Sequence, residues 1–387
     1  MFTNRIPLFT LFDIKVGLDY SWFFLAFLLV WSLMAGYFPW VLPGLDTASY
    51  LWMAILGAAG LFGSIIFHEY AHALVARRYD LPISRITLFI FGGVAEMDDE
   101  PRTAAAEFWM AIAGPIASFL LAAAMFLILS AGPFGLESQF GAIIGYLAFI
   151  NLILAVFNLL PAFPLDGGRM LRAAVWHFTE DFQKATRIAA ATGSVLAIVL
   201  IGLGVLNIIG GAFVQGIWQM LIGFFVYSAA GASRAHAELR GSLHGVPVSR
   251  IMRRELVTVP ADTPVQTLVD DYFYRHFYKV FPVVDGTGRP VGVIGLKDVA
   301  NANRDDWHKA RTGDIMKPLG EDNTVTSNAP AYKVLQMMQR RQNSRLLVVD
   351  GQTLKGMVTM RDIMGYLAVR DELEPEPHST PAAAPRA

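Results

Sequence analysis

The sequence predicts a multidomain protein, a polytopic α-helical membrane bundle followed by a charged α/β module, on three observations. Hydrophobic residues make up 54% and charged residues only 16% of the 387 positions, too apolar for an ordinary soluble chain of this length. Residues 1–233 hold only 24 of the 63 Asp, Glu, Lys and Arg residues, 10 basic and 14 acidic. The stretch beyond residue 247, by contrast, is rich in charge and repeats itself at a period of about 65 residues. A net charge of -1 without a long basic run leaves no electrostatic footprint for nucleic acid. The absence of cysteine excludes disulfides, zinc ribbons, iron-sulfur clusters and thiol catalysis, so any metal must be held by His, Asp or Glu.

A bilayer core needs about 20 apolar residues per helix. Six stretches supply them, near Trp22 to Trp40, Leu51 to Ala76, Phe108 to Leu129, Phe140 to Leu160, Ile188 to Ile209 and Phe213 to Ala232. The first begins without a basic flank and is followed by further spans, so a cleavable leader is not expected. Arg5 and Lys15 precede the first span. Arg77, Arg78, Arg85 and Arg102 follow the second, Arg169, Arg172, Lys184 and Arg187 the fourth, and Arg234, Arg240, Arg250, Arg253 and Arg254 the sixth. The other three connections carry no Lys or Arg. Positive loops stay cytoplasmic, which places both termini there.

Residues 82–97 read as two β-branched and aromatic runs around Gly92 and Gly93, a hairpin signal, and Ile6 to Gly17 carries a weaker strand pattern. Strand edges cannot face lipid, so such a hairpin has to be buried in protein or line a wet cavity.

The second span ends in His68-Glu69-Tyr70-Ala71-His72, the HExxH arrangement. One helical turn brings two imidazoles to a single zinc ion, and the intervening carboxylate stays free as a base. The bland alternative is a set of polar groups resting in the interface, set against the cost of ionisable residues at membrane depth. A third ligand has to arrive from a segment ending on the same side. The fourth span offers Asp166 in Asn158-Leu-Leu-Pro161-Ala-Phe-Pro164-Leu-Asp166-Gly-Gly. The two prolines unwind the helix end and free the Asn158 amide to face a cavity. The competing reading of Asp166 is an Asx turn capping the next helix. No other charged cluster is expected in the bundle. His177, His236, His244, His276, His308 and His378 lack metal spacing and read as surface or interface residues.

The C-terminal repeat aligns Val248-Ser-Arg-Ile-Met252 with Thr312-Gly-Asp-Ile-Met316 and Pro282-Val-Val-Asp285-Gly286 with Leu347-Val-Val-Asp350-Gly351. Gly292 to Asp298 likewise returns as Gly356 to Asp362. Each unit reads as alternating helices and strands. The domain organisation expected is a membrane domain over 1–233, a linker over 234–246, and a repeat module over 247–370 with units at about 247–304 and 311–370. A disordered tail is expected over 371–387, where Pro, Glu and Ala dominate.

HEYAH on the second span, FGGVAEM in the hairpin, Ala113-Gly114-Pro115 in the third span and NLLPAFPLDGG at the fourth together resemble the site-two protease family, in its branch with C-terminal tandem CBS repeats. The resemblance covers about residues 1–370. It implies an intramembrane zinc metalloprotease, an endopeptidase that cuts the transmembrane segment of a membrane-protein substrate in regulated intramembrane proteolysis. Position by position it implies His68, His72 and Asp166 as zinc ligands, Glu69 as catalytic base, and Asn158 and Pro164 in substrate handling. Gly92 and Gly93 would belong to a hairpin that takes up the unwound substrate strand. The repeats resemble CBS sensors of adenine nucleotides such as ATP or AMP. There Thr359 and Asp362 match the ribose-binding pair, while Gly295 replaces the hydroxyl of the first repeat and leaves Asp298 alone. A module without ligand, serving structure or homodimer formation, is the alternative. The setting expected is the plasma (inner) membrane of a prokaryote. A CBS-regulated transporter or channel is the second function class, against which the HExxH with its remote aspartate stands.

Overall fold

Backbone groups in hydrocarbon have to find partners inside their own segment, so long apolar runs fold as helices. The computed structural model describes residues 5–81, 83–89, 92–97, 101–135 and 137–373. Among these, six helices are long and apolar enough to cross a membrane. The first span joins α1 (Ser21–Ser32), a π turn (Leu33–Tyr37) and α2 (Phe38–Val41). The others are α3 (Thr47–Arg77), α4 (Ala104–Ala131), α5 (Gln139–Asn158), α7 (Phe182–Ile209) and α8 (Phe213–Ser242). Between the fourth and fifth spans lies α6 (Asp166–Thr179), an amphipathic helix much less apolar than the spans on either side. Side chains open three of these helices, with Thr103, Ser138 and Asp181 accepting from Ala106, Gly141 and Lys184 N–H groups.

Helices packed in lipid gain little from hydrophobic transfer and rely on close approach and polar links. Gly60 of α3 meets the Leu147 side chain of α5, and one turn on, Asn151 Nδ2 donates to Ser64 Oγ at 2.9 Å. Such an interhelical bond contributes about 0.6 to 2 kcal/mol. This contact holds the histidine-bearing helix against the one that leads to Asp166.

Four strands form a sheet in the order β1 (Arg5–Leu11), β2 (Ile14–Asp19), β3 (Ile83–Phe89), β4 (Gly92–Met97). The β1–β2 and β3–β4 pairs are antiparallel, and the central β2–β3 pair is parallel, with Lys15 opposite Arg85 and Leu18 opposite Leu88. Ile14, Val16, Ile83 and Ile86 point from this sheet onto Tyr70, Ala73 and Ala76 of α3 and Met110 of α4. The sheet therefore rests on the last turns of the helix that carries His68 and His72. Gly92 and Gly93 differ from the expectation of a turn between two runs. They open β4 itself, opposite Phe89 and Leu88, and residues 82, 90 and 91 lie outside the described residues.

Contacts divide the chain into two compact units, Met1–Ala237 and Glu238–Ala387. The second holds two sheets. One runs β5 (Val259–Pro260), β6 (Val280–Val284), β7 (Pro290–Gly295) and β8 (Lys317–Pro318), and the other β11 (Thr353–Thr359), β10 (Arg345–Asp350) and β9 (Thr324–Val325). Helical segments are α9 (Val265–Thr267) and α10 (Tyr274–His276), joined by a π turn, then α11 (Leu296–Asn301), α12 (Thr312–Ile315), α13 (Ala331–Arg340) and α14 (Met360–Leu373). The repeats exchange their leading segments. Val248 and Ile251 enter the core of the second repeat with Val334, Leu335 and Val348, while Ile315 and Met316 pack on the first with Val283 and Ile294. The α14 helix reaches Leu373, and the expected tail beyond it lies outside the described residues.

Candidate active site

His68 and His72 stand one turn apart on α3, both buried, with 4% and 5% of their surface exposed. Asp166 is the first residue of α6, 8% exposed, and its carboxylate turns toward them. Asp166 Oδ2 lies 3.0 Å from His68 Nε2 and 3.2 Å from His72 Nε2, and the two Nε2 atoms are 3.1 Å apart. Among the described residues these three form the one group of His, Asp and Glu able to share a metal. The Asx-turn alternative for Asp166 is not what the helix shows, since Leu165 occupies the cap position and no side chain caps it. Burial opposes ionisation of Asp166, but the adjacent His72 and hydrogen bonding with both histidines hold its carboxyl well below the usual carboxylate range.

A stripe of α4 orients the imidazoles. His72 Nδ1 donates to the Met110 carbonyl at 2.6 Å, and His68 Nδ1 is hydrogen-bonded to Ser118 Oγ at 2.9 Å. Both rings therefore present Nε2 to the centre of the triangle. Between Met110 and Ser118, Gly114 brings the α4 backbone against both Nε2 atoms, where a Cβ would overlap them.

A cavity of about 450 Å³ opens beside the triangle. Glu69, Asn158, Pro164, Gly92, Gly93 and Val94 border it with the three buried groups, so the membrane-site residues expected from sequence converge here. Its remaining wall is largely apolar, including Phe89, Leu154, Phe157, Trp218 and Phe225, and Arg169 adds a cation. Gly93 sits against Glu69, where a Cβ would come within 2.8 Å of Cγ. Because β4 ends the strand order, its outer edge has no strand partner among the described residues.

Sequence reasoning missed Ser118, the Met110 carbonyl, and a second charged pair in the bundle. Glu107 of α4, completely buried, pairs with Arg172 of α6. Glu107 is the only charged residue in Ala104–Ala131, and that isolation was a usable signal. The expectation of a single charged cluster fails here because a span drawn from Phe108 leaves Glu107 outside it.

In the second unit, Thr359 Oγ1 donates to Asp362 Oδ2 at 2.6 Å, and Arg253 Nε donates to Asp362 Oδ1 at 2.7 Å. Thr359 borders a cavity of about 600 Å³ with Arg253, His276, Tyr278 and Arg345. Asp298 borders an adjoining cavity of about 730 Å³, which shares Lys279, Val280, Ser344, Arg345 and Met357 with the first, and there its carboxylate accepts from Gly295 N at 2.8 Å and faces Lys317 at 3.2 Å. The two repeats thus place Thr359 and Asp298 at adjoining cavities.

Residues 56–139 and 133–200 match the model of peptidase family M50, and residues 248–305 and 313–369 match the CBS domain. A Mycobacterium tuberculosis protein assigned as a zinc metalloprotease, Rip3, is 32% identical over 379 residues, covering 97% of this chain and 96% of its own. The chain belongs to peptidase family M50. Zinc metalloprotease MJ0392 of Methanocaldococcus jannaschii, another relative, is 31% identical over 81% of this chain and 86% of its own length. The solved site-2 protease of Methanocaldococcus jannaschii is 29% identical, with a TM-score of 0.42 over 60% of this chain and 95% of that one. As an M50 peptidase with six spans, the protein is a multi-pass intramembrane metalloendopeptidase that uses zinc, and it carries a tandem CBS module.

Proposed function

We propose that His68, His72 and Asp166 hold the zinc ion and that Glu69 is the general base in cleavage of a substrate transmembrane segment. The triangle of donor atoms at 3.0 to 3.2 Å carries this reading. Ligands of a tetrahedral zinc with bonds of about 2 Å stand roughly 3.3 Å apart, so the donor set fits the ion. Fixed Nδ1 partners on both histidines add the outer support that metal-binding imidazoles use.

Zinc at this position supplies a Lewis acid that polarises the scissile carbonyl and acidifies water. Glu69, on the same helical turn and bordering the same cavity, takes the proton from the attacking water and returns it to the leaving amide nitrogen. A peptide bond in a helix has both partners satisfied, so the substrate has to unwind before attack. The outer edge of β4 at Gly92, Gly93 and Val94 offers replacement hydrogen bonds to the unwound strand. Asn158 and Pro164 border the same cavity and handle the same segment.

The cationic loops support a prokaryotic plasma-membrane orientation with both termini and the CBS module in the cytoplasm. There Thr359 with Asp362 forms a ribose site for ATP or AMP, Asp298 borders a second and weaker one, and nucleotide binding modulates cleavage. Modulation requires different nucleotide affinity in the active and inactive forms. The module also supports a homodimer.

The test is zinc content and cleavage of a transmembrane substrate by detergent-purified wild type, Glu69→Gln and Asp166→Ala. About one zinc in wild type and Glu69→Gln, with cleavage falling about 10²- to 10⁴-fold in the latter, is expected. Asp166→Ala should lose the metal. Wild type that takes up no zinc while folded would refute the reading.

A further inference from the structure

The site-facing stripe of α4 carries Glu107, Met110, Gly114 and Ser118, spaced three, four and four residues apart along one helical face. Met110, Gly114 and Ser118 address the two histidines. Glu107 addresses α6, the helix that Asp166 opens. Its carboxylate receives Arg172 Nε at 2.7 Å and Nη2 of the same guanidinium, across the α4–α6 contact. The guanidinium also lies over two rings, 5.1 Å from Phe163 and 4.8 Å from Phe182. Phe163 belongs to the turn that leads into Asp166, and Phe182 opens α7. One buried cation thus ties together α4, the turn before α6, α6 itself and the start of α7.

We propose that Glu107 and Arg172 are positioning residues for the metal site, setting the depth and rotation of α6 and thereby the place of the Asp166 carboxylate. This rests on the assignment of Asp166 as a metal ligand. Asp166 opens its helix without a capping side chain, so its direction follows the rotation of α6. One residue of rotation in a helix is about 100°, enough to turn a ligand out of a site. An apolar pair would pack α4 on α6 as tightly without specifying that rotation. A buried ion pair specifies it, and does so at a desolvation cost that makes it a poor device for stability alone.

The experiment measures zinc affinity of the full chain in detergent by chelator competition, with zinc alone as the probe. It compares wild type, Glu107→Gln, Arg172→Lys and Asp166→Ala. Loss of an outer partner weakens metal binding about 10- to 100-fold, and that range is expected for Glu107→Gln and Arg172→Lys. Excess zinc should restore their cleavage, and their cobalt(II) absorption envelope should shift from that of wild type. A folded Glu107→Gln with wild-type zinc affinity and cobalt spectrum overturns the proposal. If Glu107→Gln does not fold, Arg172→Lys decides alone, and unchanged affinity there overturns it equally. Zinc bound by wild type and lost from Asp166→Ala, beside unchanged positioning variants, would refute this proposal while leaving the site assignment intact. No zinc in folded wild type would remove both.

Discussion

Gly114 and His72 are in contact across the α3–α4 interface, the backbone of one helix against Nε2 of the imidazole on the other. A methyl group at 114 would overlap Nε2 of both His72 and His68, and neither ring can retreat while its Nδ1 is held by α4. Gly114→Ala should therefore weaken zinc binding by about 10- to 100-fold, the range seen when ligand orientation is disturbed. Metal analysis after dialysis against a weak chelator reads this directly, and retention of zinc at the wild-type level would contradict the contact.

Gly93 has the same relation to Glu69. A branched side chain in Gly93→Val would meet Glu69 Cγ and Ile65 Cγ2, displacing the carboxylate proposed as the base and thickening the rim of β4. Because no zinc-binding group is touched, metal content should stay at about one per chain while kcat falls about 10²-fold, the smaller end of a general base's contribution. Steady-state cleavage beside metal analysis separates this variant from Gly114→Ala.

Thr359 and Asp298 border different cavities of the CBS module. Thr359→Val should then abolish binding at one nucleotide site and leave the other, while Asp298→Asn should do the reverse. Calorimetric titration of the full chain with ATP and with AMP distinguishes the two. Loss of all binding on either substitution would mean one shared site.

Asp350 receives hydrogen bonds from Ser327, which hold its carboxyl below the usual carboxylate range. A depressed folded-state pKa adds stability that is present above the unfolded value, about 3.9, and is lost as pH falls through the lower folded value. Asp350→Asn should lower the urea midpoint of the CBS transition at pH 7 and leave it unchanged near pH 2. Equal loss at both would show that charge plays no part.

Much of the membrane site was legible from sequence because its chemistry is local. His68 and His72 are four residues apart on one helix, and the prolines and glycines around Asp166 announce a break in another. The charged residues between spans marked the two helix ends as lying on one side. The pairing of Glu107 with Arg172 escaped notice because the two are 65 positions apart, in segments each judged by its own hydropathy. The exchange of leading segments between the two repeats escaped notice for a similar reason, since it joins stretches that a repeat alignment keeps apart.

The sequence by itself determined the number of spans, the metal chemistry and the duplicated module, since hydropathy, ligand spacing and periodicity are properties of short stretches of chain. Only the tertiary structure decided that β1 and β2 join β3 through a parallel pair, leaving β4, which borders the cavity, last in the sheet among the described residues. It also decided that one face of α4 meets His68, His72 and, through Glu107, Arg172 of α6. Such relations depend on which helices and strands come together, and packing between segments distant in the chain leaves no period in the sequence.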